Sequence, residues 1–113
     1  KEALHICKLD SLLPCLDIET DWSKSLSLGE LQRLSLTRAI LYQPQWIFLD
    51  ETTSCLDTSM EAEIYQVLRE KLPTSALISI GHRDTLKTYH RLILKLSNTS
   101  DWSCSEQMQQ QKM

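Results

Sequence analysis

The feature that most constrains how this chain can fold is a short apolar run, residues 46–49, which ends in the adjacent carboxylates Asp50 and Glu51. The run is too short for a buried helix and is rich in aromatic residues. It therefore predicts a β-strand buried on both faces, as in a parallel sheet. A second apolar run, residues 76–80, is followed closely by His82. Because ligands of parallel sheets gather at the carboxyl ends of the strands, we expect these three polar side chains to share one edge.

Helical patterns separate and flank the two strands. The clearest predicted helix covers residues 58–71, with Thr58 and Glu61 as a capping box, and it joins the two strands as in a right-handed crossover. Weaker patterns predict three more helices, at residues 2–9, from Gly29 or Glu30 to residue 42, and at 84–89. They also predict a third strand at residues 91–96. The whole pattern predicts an α/β fold with parallel strands and flanking helices, an irregular segment at 10–25 and a disordered tail at 97–113.

Composition is that of an ordinary globular domain. With 113 residues, of which 42% are hydrophobic and 24% charged, the chain is long enough for one small domain with a modest core. The net charge of −3 and the lack of a basic cluster argue against a nucleic-acid partner. No window approaches the roughly 18 consecutive apolar residues that cross a bilayer. We expect any membrane role to come through a partner or through protein beyond these residues.

The four cysteines, Cys7, Cys15, Cys55 and Cys104, form no C-x-x-C pair. Zinc sites and redox motifs use close pairs, and small secreted scaffolds carry more cysteines for their length. We therefore expect reduced and mostly buried thiols in a cytosolic setting.

An apolar strand that ends in Asp50 and Glu51 suits metal-assisted phosphoryl chemistry. The first carboxylate can hold Mg²⁺, directly or through water, and the second can orient or deprotonate a water nucleophile. The alternative is a solvated strand end with two acids and a nearby helix N-terminus. A lone histidine such as His82 is more often structural, but its expected place at the same sheet edge favours a functional role.

Two turns precede helices and are, by themselves, helix caps. Residues 27–30 (Ser-Leu-Gly-Glu) stand at a helix start, where free backbone N–H groups and the helix dipole can also bind an anion. Residues 54–57 (Ser-Cys-Leu-Asp) have the composition of a capping turn before the helix at 58–71. Neither turn indicates a ligand on its own.

The order of these pieces is similar to that in the second half of an ATP-binding-cassette (ABC) nucleotide-binding domain, which has a P-loop NTPase fold. The matching pieces are residues 26–30 for the signature loop, 46–50 for the Walker B strand with Glu51 after it, 54–57 for the D-loop and His82 for the switch histidine. The resemblance covers about residues 2–96, so that 1–43 would end the helical subdomain and 44–96 would belong to the α/β core.

Finer details resemble one branch of that family. Asp21 and Trp22 before the signature loop, Glu30 within it, and Tyr89 and His90 after the histidine are similar to a group of half-transporters. That group includes the subfamily D transporters, among them the peroxisomal fatty-acyl transporters, and related bacterial exporters and importers.

The resemblance implies a composite ATP site between two such domains. Glu51 would be the general base that polarises the attacking water, Asp50 would bind Mg²⁺ through water, and His82 would contact the γ-phosphate of ATP. A second nucleotide-binding domain, arranged head to tail, and the transmembrane domains of a transporter would be the partners. The cycle of ATP binding and hydrolysis would drive transport from the cytoplasmic face of a membrane.

The same resemblance gives roles across the dimer to the two turns. Ser27, Leu28, Gly29 and Glu30 would reach the γ-phosphate of the ATP held by the opposite domain. Asp57 would lie at the dimer interface and help to couple the two sites.

This chain departs from the family pattern in two ways. Leu28 stands where the commonest signature has glycine, which changes the local packing and backbone freedom but keeps the N–H group. The phosphate loop (G-x-x-x-x-G-K-[ST]), the base-stacking aromatic residue and the Q-loop are not found in these residues, whose only glycines are Gly29 and Gly81. Since the loop's amides and lysine cradle the triphosphate, we expect these residues alone to bind and hydrolyse ATP poorly.

The start at Lys1 and the scarcity of glycine suggest an excerpt of a longer ATPase. A truncated, non-catalytic fragment that serves as an interaction piece, or a gene remnant, is the alternative. A relative that uses the same dimer chemistry in chromosome maintenance or translation would show coiled-coil inserts or tandem cassettes, which these residues lack.

Overall fold

The structure is a computed structural model that describes residues 1–54 and 56–107. These residues contain four α-helices, two 3₁₀ helices and four β-strands. The α-helices are α1 (Glu2–Ile6), α2 (Trp22–Ser25), α3 (Leu28–Tyr42) and α4 (Thr58–Lys71), and the strands are β1 (Trp46–Asp50), β2 (Ala76–Ile80), β3 (Leu92–Leu96) and β4 (Trp102–Glu106). The 3₁₀ helices are Asp10–Cys15 and Asp84–Tyr89. None of the helices described here has the length and apolar character needed to cross a membrane.

The unit β1–α4–β2 confirms the predicted parallel crossover. The two strands pair in parallel from Trp46 with Ala76 to Asp50 with Ile80. One backbone hydrogen bond continues the ladder beyond the paired residues, from Glu51 N–H to Ile80 C=O at 2.8 Å. The acidic end of β1 is therefore tied to the carboxyl end of β2.

The third predicted strand does not join this sheet in the described residues. β3 instead pairs antiparallel with β4, in a separate two-stranded sheet. The prediction of disorder from residue 97 is thus wrong as far as residue 107, because a turn at 97–101 allows the chain to fold back as a hairpin. In that turn Ser97 N–H donates to Asp101 C=O at 3.0 Å and Ser100 has a positive φ of 66°. The remainder of the predicted tail, residues 108–113, lies outside the described residues.

Only one face of the parallel sheet is buried, so the prediction of a strand buried on both faces is wrong here. The side chains of Ile47 and Leu49 point inward, whereas those of Trp46 and Phe48 are 60% and 68% exposed. We define the outer sheet face as Trp46, Phe48, Ile78 and Ile80, which the strand register places on one side. The inner face packs towards α4, where the hydroxyl of Tyr65 is hydrogen-bonded to that of Ser79.

The core lies between α1, α3 and α4. Its buried apolar side chains come from those helices and the segments beside them: Ala3, Leu4, Cys7, Leu9, Leu12, Leu36, Ile40, Ile47, Leu56, Ile64, Tyr65, Leu68 and Leu72. Leu68 is fully buried, and truncation of such a leucine to alanine typically costs about 2–5 kcal/mol. The core therefore sets the position of α3 and α4, whose N-termini carry the two turns of interest.

The structure differs from the prediction at the start of α4 and in the segment 10–25. α4 is capped by Asp57, whose Oδ1 accepts from Met60 N–H at 2.8 Å, and Thr58 is its first helical residue rather than its cap. Glu61 is not part of a capping box, because its side chain is fully buried and bonded to Thr53. The segment 10–25, predicted to be irregular, contains a 3₁₀ helix (Asp10–Cys15) and α2.

Candidate functional site

The parallel register brings Glu51 and His82 together at the carboxyl edge of the sheet. His82 follows β2 by two residues, and its Nδ1 lies 3.2 Å from Glu51 Oε1. Both side chains reach solvent, with exposed fractions of 80% for His82 and 43% for Glu51. The predicted proximity of these two side chains is confirmed, and an open carboxylate–imidazole pair faces the solvent at this edge.

Glu51 has a left-handed backbone conformation, with φ of 51°. This region costs a non-glycine residue roughly 1–2 kcal/mol, and such strain persists only where neighbouring contacts enforce it. Three hydrogen bonds do so: the Glu51 N–H donates to Ile80 C=O, and its C=O accepts from the Ser54 N–H at 3.2 Å and the Ser54 hydroxyl at 2.8 Å. The conformation turns the chain sharply out of β1 just where the carboxylate is placed.

Gly81 allows the chain after β2 to pass close to its neighbours. A Cβ at this position would collide with the Cδ1 atom of Leu86 and would lie 3.9 Å from Glu51 Oε2. A larger residue between β2 and His82 would therefore require the side chain of Leu86 to shift.

Asp50 lies at the end of β1, in the register position opposite Ile80, and is exposed. No group of three or more His, Cys, Asp or Glu side chains suited to a metal ion occurs in residues 1–54 and 56–107. Mg²⁺ usually takes only one or two protein carboxylates, together with waters and substrate phosphates. Asp50 fits one such contact, so the donor set suits a Mg²⁺ ion that arrives with a nucleotide and does not suit a closed protein cage.

The turn at 27–30 is a complete capping box at the start of α3. Ser27 Oγ accepts from Glu30 N–H at 3.2 Å, and Glu30 Oε1 accepts from Ser27 N–H at 3.1 Å. Those bonds, chiefly the one from the Ser27 backbone, hold the pKa of Glu30 below its ordinary value. Helix geometry leaves the amides of Leu28 and Gly29 without an intrahelical acceptor. The interpretation of this turn as a helix cap is confirmed, and the amides of Leu28 and Gly29 have no acceptor within the helix.

The other predicted turn, residues 54–57, packs beside the capping box. Leu56 is buried, and its Cδ2 lies 3.8 Å from the point where a Cβ on Gly29 would stand. Asp57 uses its carboxylate to cap α4, as described above. Cys55 lies outside the described residues, so the four-residue turn is seen only in part.

Three residues to which the sequence suggested no functional role form a largely buried polar cluster under this turn. Arg83 Nη1 donates to the backbone carbonyls of Thr53 at 2.7 Å and Leu56 at 2.8 Å. The same nitrogen lies 3.3 Å from Glu61 Oε2, which also accepts from the Thr53 hydroxyl at 2.7 Å. The one feature of the sequence that could have pointed to Arg83 is its position directly after His82. Its contacts could not be predicted, because its partners lie 22 to 30 residues away in the chain.

The thiols are partly as expected. Cys7, Cys15 and Cys104 are free, but only Cys7 is buried, whereas Cys15 is half-buried and Cys104 exposed. Burial raises the pKa of Cys7 above its ordinary value, against the smaller opposing effects of Thr37 and Arg33. Cys7 is therefore a neutral core side chain rather than a reactive thiolate.

No protein-family model matches the chain. Several curated proteins match most of it. An uncharacterized ABC transporter ATP-binding protein of Haemophilus influenzae is 45% identical over 101 residues, which are 89% of this chain and 17% of that protein. ABC transporter D family member 2, chloroplastic, of Arabidopsis thaliana is 47% identical over 91 residues, 80% of this chain and 12% of that protein. The lysosomal cobalamin transporter ABCD4 of Homo sapiens is 42% identical over 89 residues, 77% of this chain and 14% of that protein.

The chain spans only 12–17% of the length of these three relatives. The matched stretch nevertheless covers most of the described elements, including the strand end with Glu51 and the following helix. With identities of 42–47% to these proteins over at least 77% of its own length, the chain belongs to the family of ABC transporter ATP-binding proteins, which includes subfamily D transporters.

Proposed function

We infer that these residues form part of an ABC transporter ATPase and supply halves of two ATP sites that are completed by a second, head-to-tail domain. The observation that carries this proposal is the Glu51–His82 pair, 3.2 Å apart at the carboxyl edge of a parallel sheet. General bases and phosphate contacts collect at such edges in parallel α/β proteins. The 42–47% identity to ABC ATP-binding proteins supports the reaction class, which is ATP hydrolysis.

In the proposed site, Glu51 polarises the attacking water and His82 contacts the γ-phosphate. A carboxylate only accepts hydrogen bonds, so His82 donates to it from Nδ1. A phosphate oxygen also only accepts, so the proposed contact needs a ring N–H of His82 as its donor.

Asp50 is proposed to hold Mg²⁺ through water. The ion would neutralise charge on the β- and γ-phosphates as the terminal bond breaks. The exposure of Asp50 next to Glu51 supports this assignment, since a water-mediated ligand needs room beside the strand end.

The N-terminus of α3 is proposed to contact the γ-phosphate of ATP held by the opposite domain. Ser27 accepts from Glu30 N–H, and its own hydroxyl proton remains free to be donated to an anion. The amides of Leu28 and Gly29 point out of the helix start, where the dipole favours negative charge. Leu28 is 54% exposed, so its side chain does not block the helix end.

The proposal also gives roles to Asp57, at the interface with the second domain, and to the transmembrane domains of the transporter. Asp57 would face the second domain while it caps α4, so that a change at the interface would be felt at the start of that helix. ATP binding would join the two domains and product release would separate them, and transmembrane domains would convert this motion into transport at a membrane surface.

The proposal predicts that Glu51→Gln in the full-length polypeptide abolishes ATP hydrolysis but preserves ATP-dependent association of the domains. Glutamine keeps the shape and the hydrogen bond to His82 but cannot take a proton from water. ATP turnover and gel filtration with and without ATP measure the two effects. Glu63→Gln, an exposed change on α4, is the matched control. Hydrolysis at the parental rate by Glu51→Gln would remove Glu51 from the role of base.

A further inference from the structure

We propose that Arg83 is a positioning residue, which holds the turn after Glu51 so that the carboxylate stays in place beside His82. Thr53 and Glu61 are its partners in this role. The inference rests on the proposed function, because it assigns a device that supports the same ATP site. It concerns residues that lie outside the proposed nucleotide contacts.

The contacts form a closed ring. Arg83 Nη1 donates to the carbonyls of Thr53 and Leu56, which are the second and fifth residues after Glu51. Glu61 Oε2 lies 3.3 Å from that nitrogen and accepts from the Thr53 hydroxyl at 2.7 Å. One side chain from the β2 side of the site thus grips the backbone of the turn from the β1 side.

Burial strengthens the contacts of Arg83 with the turn. Thr53 is 3% exposed, Glu61 is fully buried and the side chain of Arg83 is 24% exposed. Charge-assisted hydrogen bonds are stronger than neutral ones, and screening by solvent is weak for buried pairs. The turn therefore has little freedom to move away from Arg83.

Stability alone explains the ring poorly. Buried ion pairs are often no more stabilising than apolar residues of similar size, and Glu61 Oε1 has no hydrogen-bond partner among the residues that the structure describes. Burying an unpaired oxygen is unfavourable. A fixed geometry is what the arrangement provides in return.

The residue that needs such fixing is Glu51. Its left-handed φ of 51° is enforced on one side by the sheet, through Ile80, and on the other by the turn, through Ser54. Arg83 anchors this turn, and it directly follows His82 in the chain. One side chain therefore fixes both partners of the Glu51–His82 pair relative to each other.

The test uses two mild substitutions in the full-length polypeptide. Arg83→Lys keeps the charge, but the ammonium nitrogen stands one bond closer to the backbone than Nη1 and falls short of both carbonyls. Thr53→Val removes only the hydroxyl that bonds to Glu61. The matched controls are Arg91→Lys, where Arg91 makes an exposed ion pair with Glu106 at 3.4 Å, and Thr74→Val at an exposed position.

Two readouts separate positioning from a structural role. We expect each test variant to lower kcat per nucleotide-binding site by about tenfold or more, because small misplacements of catalytic groups are costly, and to leave KM for ATP nearly unchanged. We also expect amide hydrogen exchange to rise in residues 51–57 and not in the core of α4. The two control variants should match the parent in both measurements.

Four outcomes would contradict the inference or the proposed function on which it rests. Parental kcat in Arg83→Lys, or unchanged amide exchange at 51–57, would remove Arg83 from this role. A fall only in the number of binding sites, with kcat per site unchanged, would leave the ring as a folding element. If the turn loosens but Glu51→Gln still hydrolyses ATP at the parental rate, the proposed function fails and Arg83 positions no base.

Discussion

Glu51 combines an unusual backbone conformation with the side chain proposed as the general base. Its carboxylate faces His82, and its backbone is left-handed with φ of 51°. Asparagine and glycine adopt this conformation far more readily than glutamate does. The presence of glutamate here, next to a second acid, means that local backbone preference has been overridden at this position. Strain of this kind is concentrated at functional sites.

This strain leads to a stability prediction. We expect Glu51→Asn to raise the free energy of unfolding by roughly 0.5–1 kcal/mol, because asparagine tolerates the left-handed region, while ATP hydrolysis is lost. Denaturant unfolding of the polypeptide measures the first effect. Glu19→Asn, at an exposed residue outside the positive-φ positions, is the control and should change stability little. A loss of stability in Glu51→Asn would mean that the carboxylate stabilises the turn more than the backbone strains it.

At the scale of elements, the backbone amides at the start of α3 serve two purposes, which are the capping of the helix and the proposed contact with phosphate. The capping box satisfies the amides of Ser27 and Glu30, and the proposed phosphate contact uses the amides between them. The helix is therefore fixed at its start even when no anion is present. Such a fixed helix end costs less to order when a nucleotide arrives.

The capping box predicts a dependence of stability on pH. The bonds from Ser27, with a smaller effect of Arg33, hold the folded-state pKa of Glu30 below its ordinary 4.5. The folded state therefore binds fewer protons than the unfolded state, and the stabilisation present above 4.5 is lost as the pH falls through the lower folded pKa. Glu30→Gln removes this titration, so we expect its stability to fall less than that of the parent between about pH 5 and pH 3.

Thermal unfolding across that pH range measures the effect, with Glu19→Gln as the control because Glu19 is exposed and lies between the 3₁₀ helix Asp10–Cys15 and α2. Equal slopes of stability against pH for Glu30→Gln and the parent would show that the capping box does not persist in solution.

Independently of pH, Ser27→Ala should lower the free energy of unfolding by about 1 kcal/mol, the usual value for a lost N-cap.

The elements that the sequence predicted well are those with strong local signals. β1 and β2 follow from short apolar runs, and α3 and α4 follow from spaced apolar residues that end before Pro44 and Pro73. The shared edge of Glu51 and His82 follows from a general rule for parallel sheets. Each of these inferences needs only residues that are close in sequence or a known topology.

The features that could not be predicted depend on distant contacts. The tail from residue 97 has few apolar residues to bury, so we expected disorder, and pairing with β3 makes residues 102–106 a strand. Glu61 fitted a capping box by spacing, but tertiary contacts with Arg83 and Thr53 bury it instead. Sequence spacing carries no information about such long-range partners.

At the scale of the whole molecule, two sheet faces within residues 1–54 and 56–107 are apolar and open to solvent. One is the outer sheet face, and the other consists of Leu92, Leu94, Leu96 and Trp102 on the β3–β4 hairpin, which are 55–77% exposed. Parallel sheets are normally covered on both faces. We expect other protein segments to cover these surfaces in an assembled ATPase, in keeping with relatives that are several times longer.

We propose that Ser27 and Glu51 of one chain serve different ATP sites, each completed by a second copy or a related domain. If so, a mixed dimer of Ser27→Arg and Glu51→Gln chains contains one site with both residues intact and one with neither. The most direct measurement is ATP hydrolysis by the two full-length variants, separately and mixed. The control is the Ser27→Arg/Glu51→Gln double variant mixed with parent, whose mixed dimers contain no intact site.

We predict that each single variant is inactive alone and that the mixture recovers about a quarter of the parental rate, since half of the dimers are mixed and each has one intact site of two. We also predict that mixing the double variant with parent adds no activity beyond that of the parental dimers. If the two variants form dimers in the presence of ATP but recover no activity on mixing, Ser27 and Glu51 do not serve different sites. That result would place both residues in the same site.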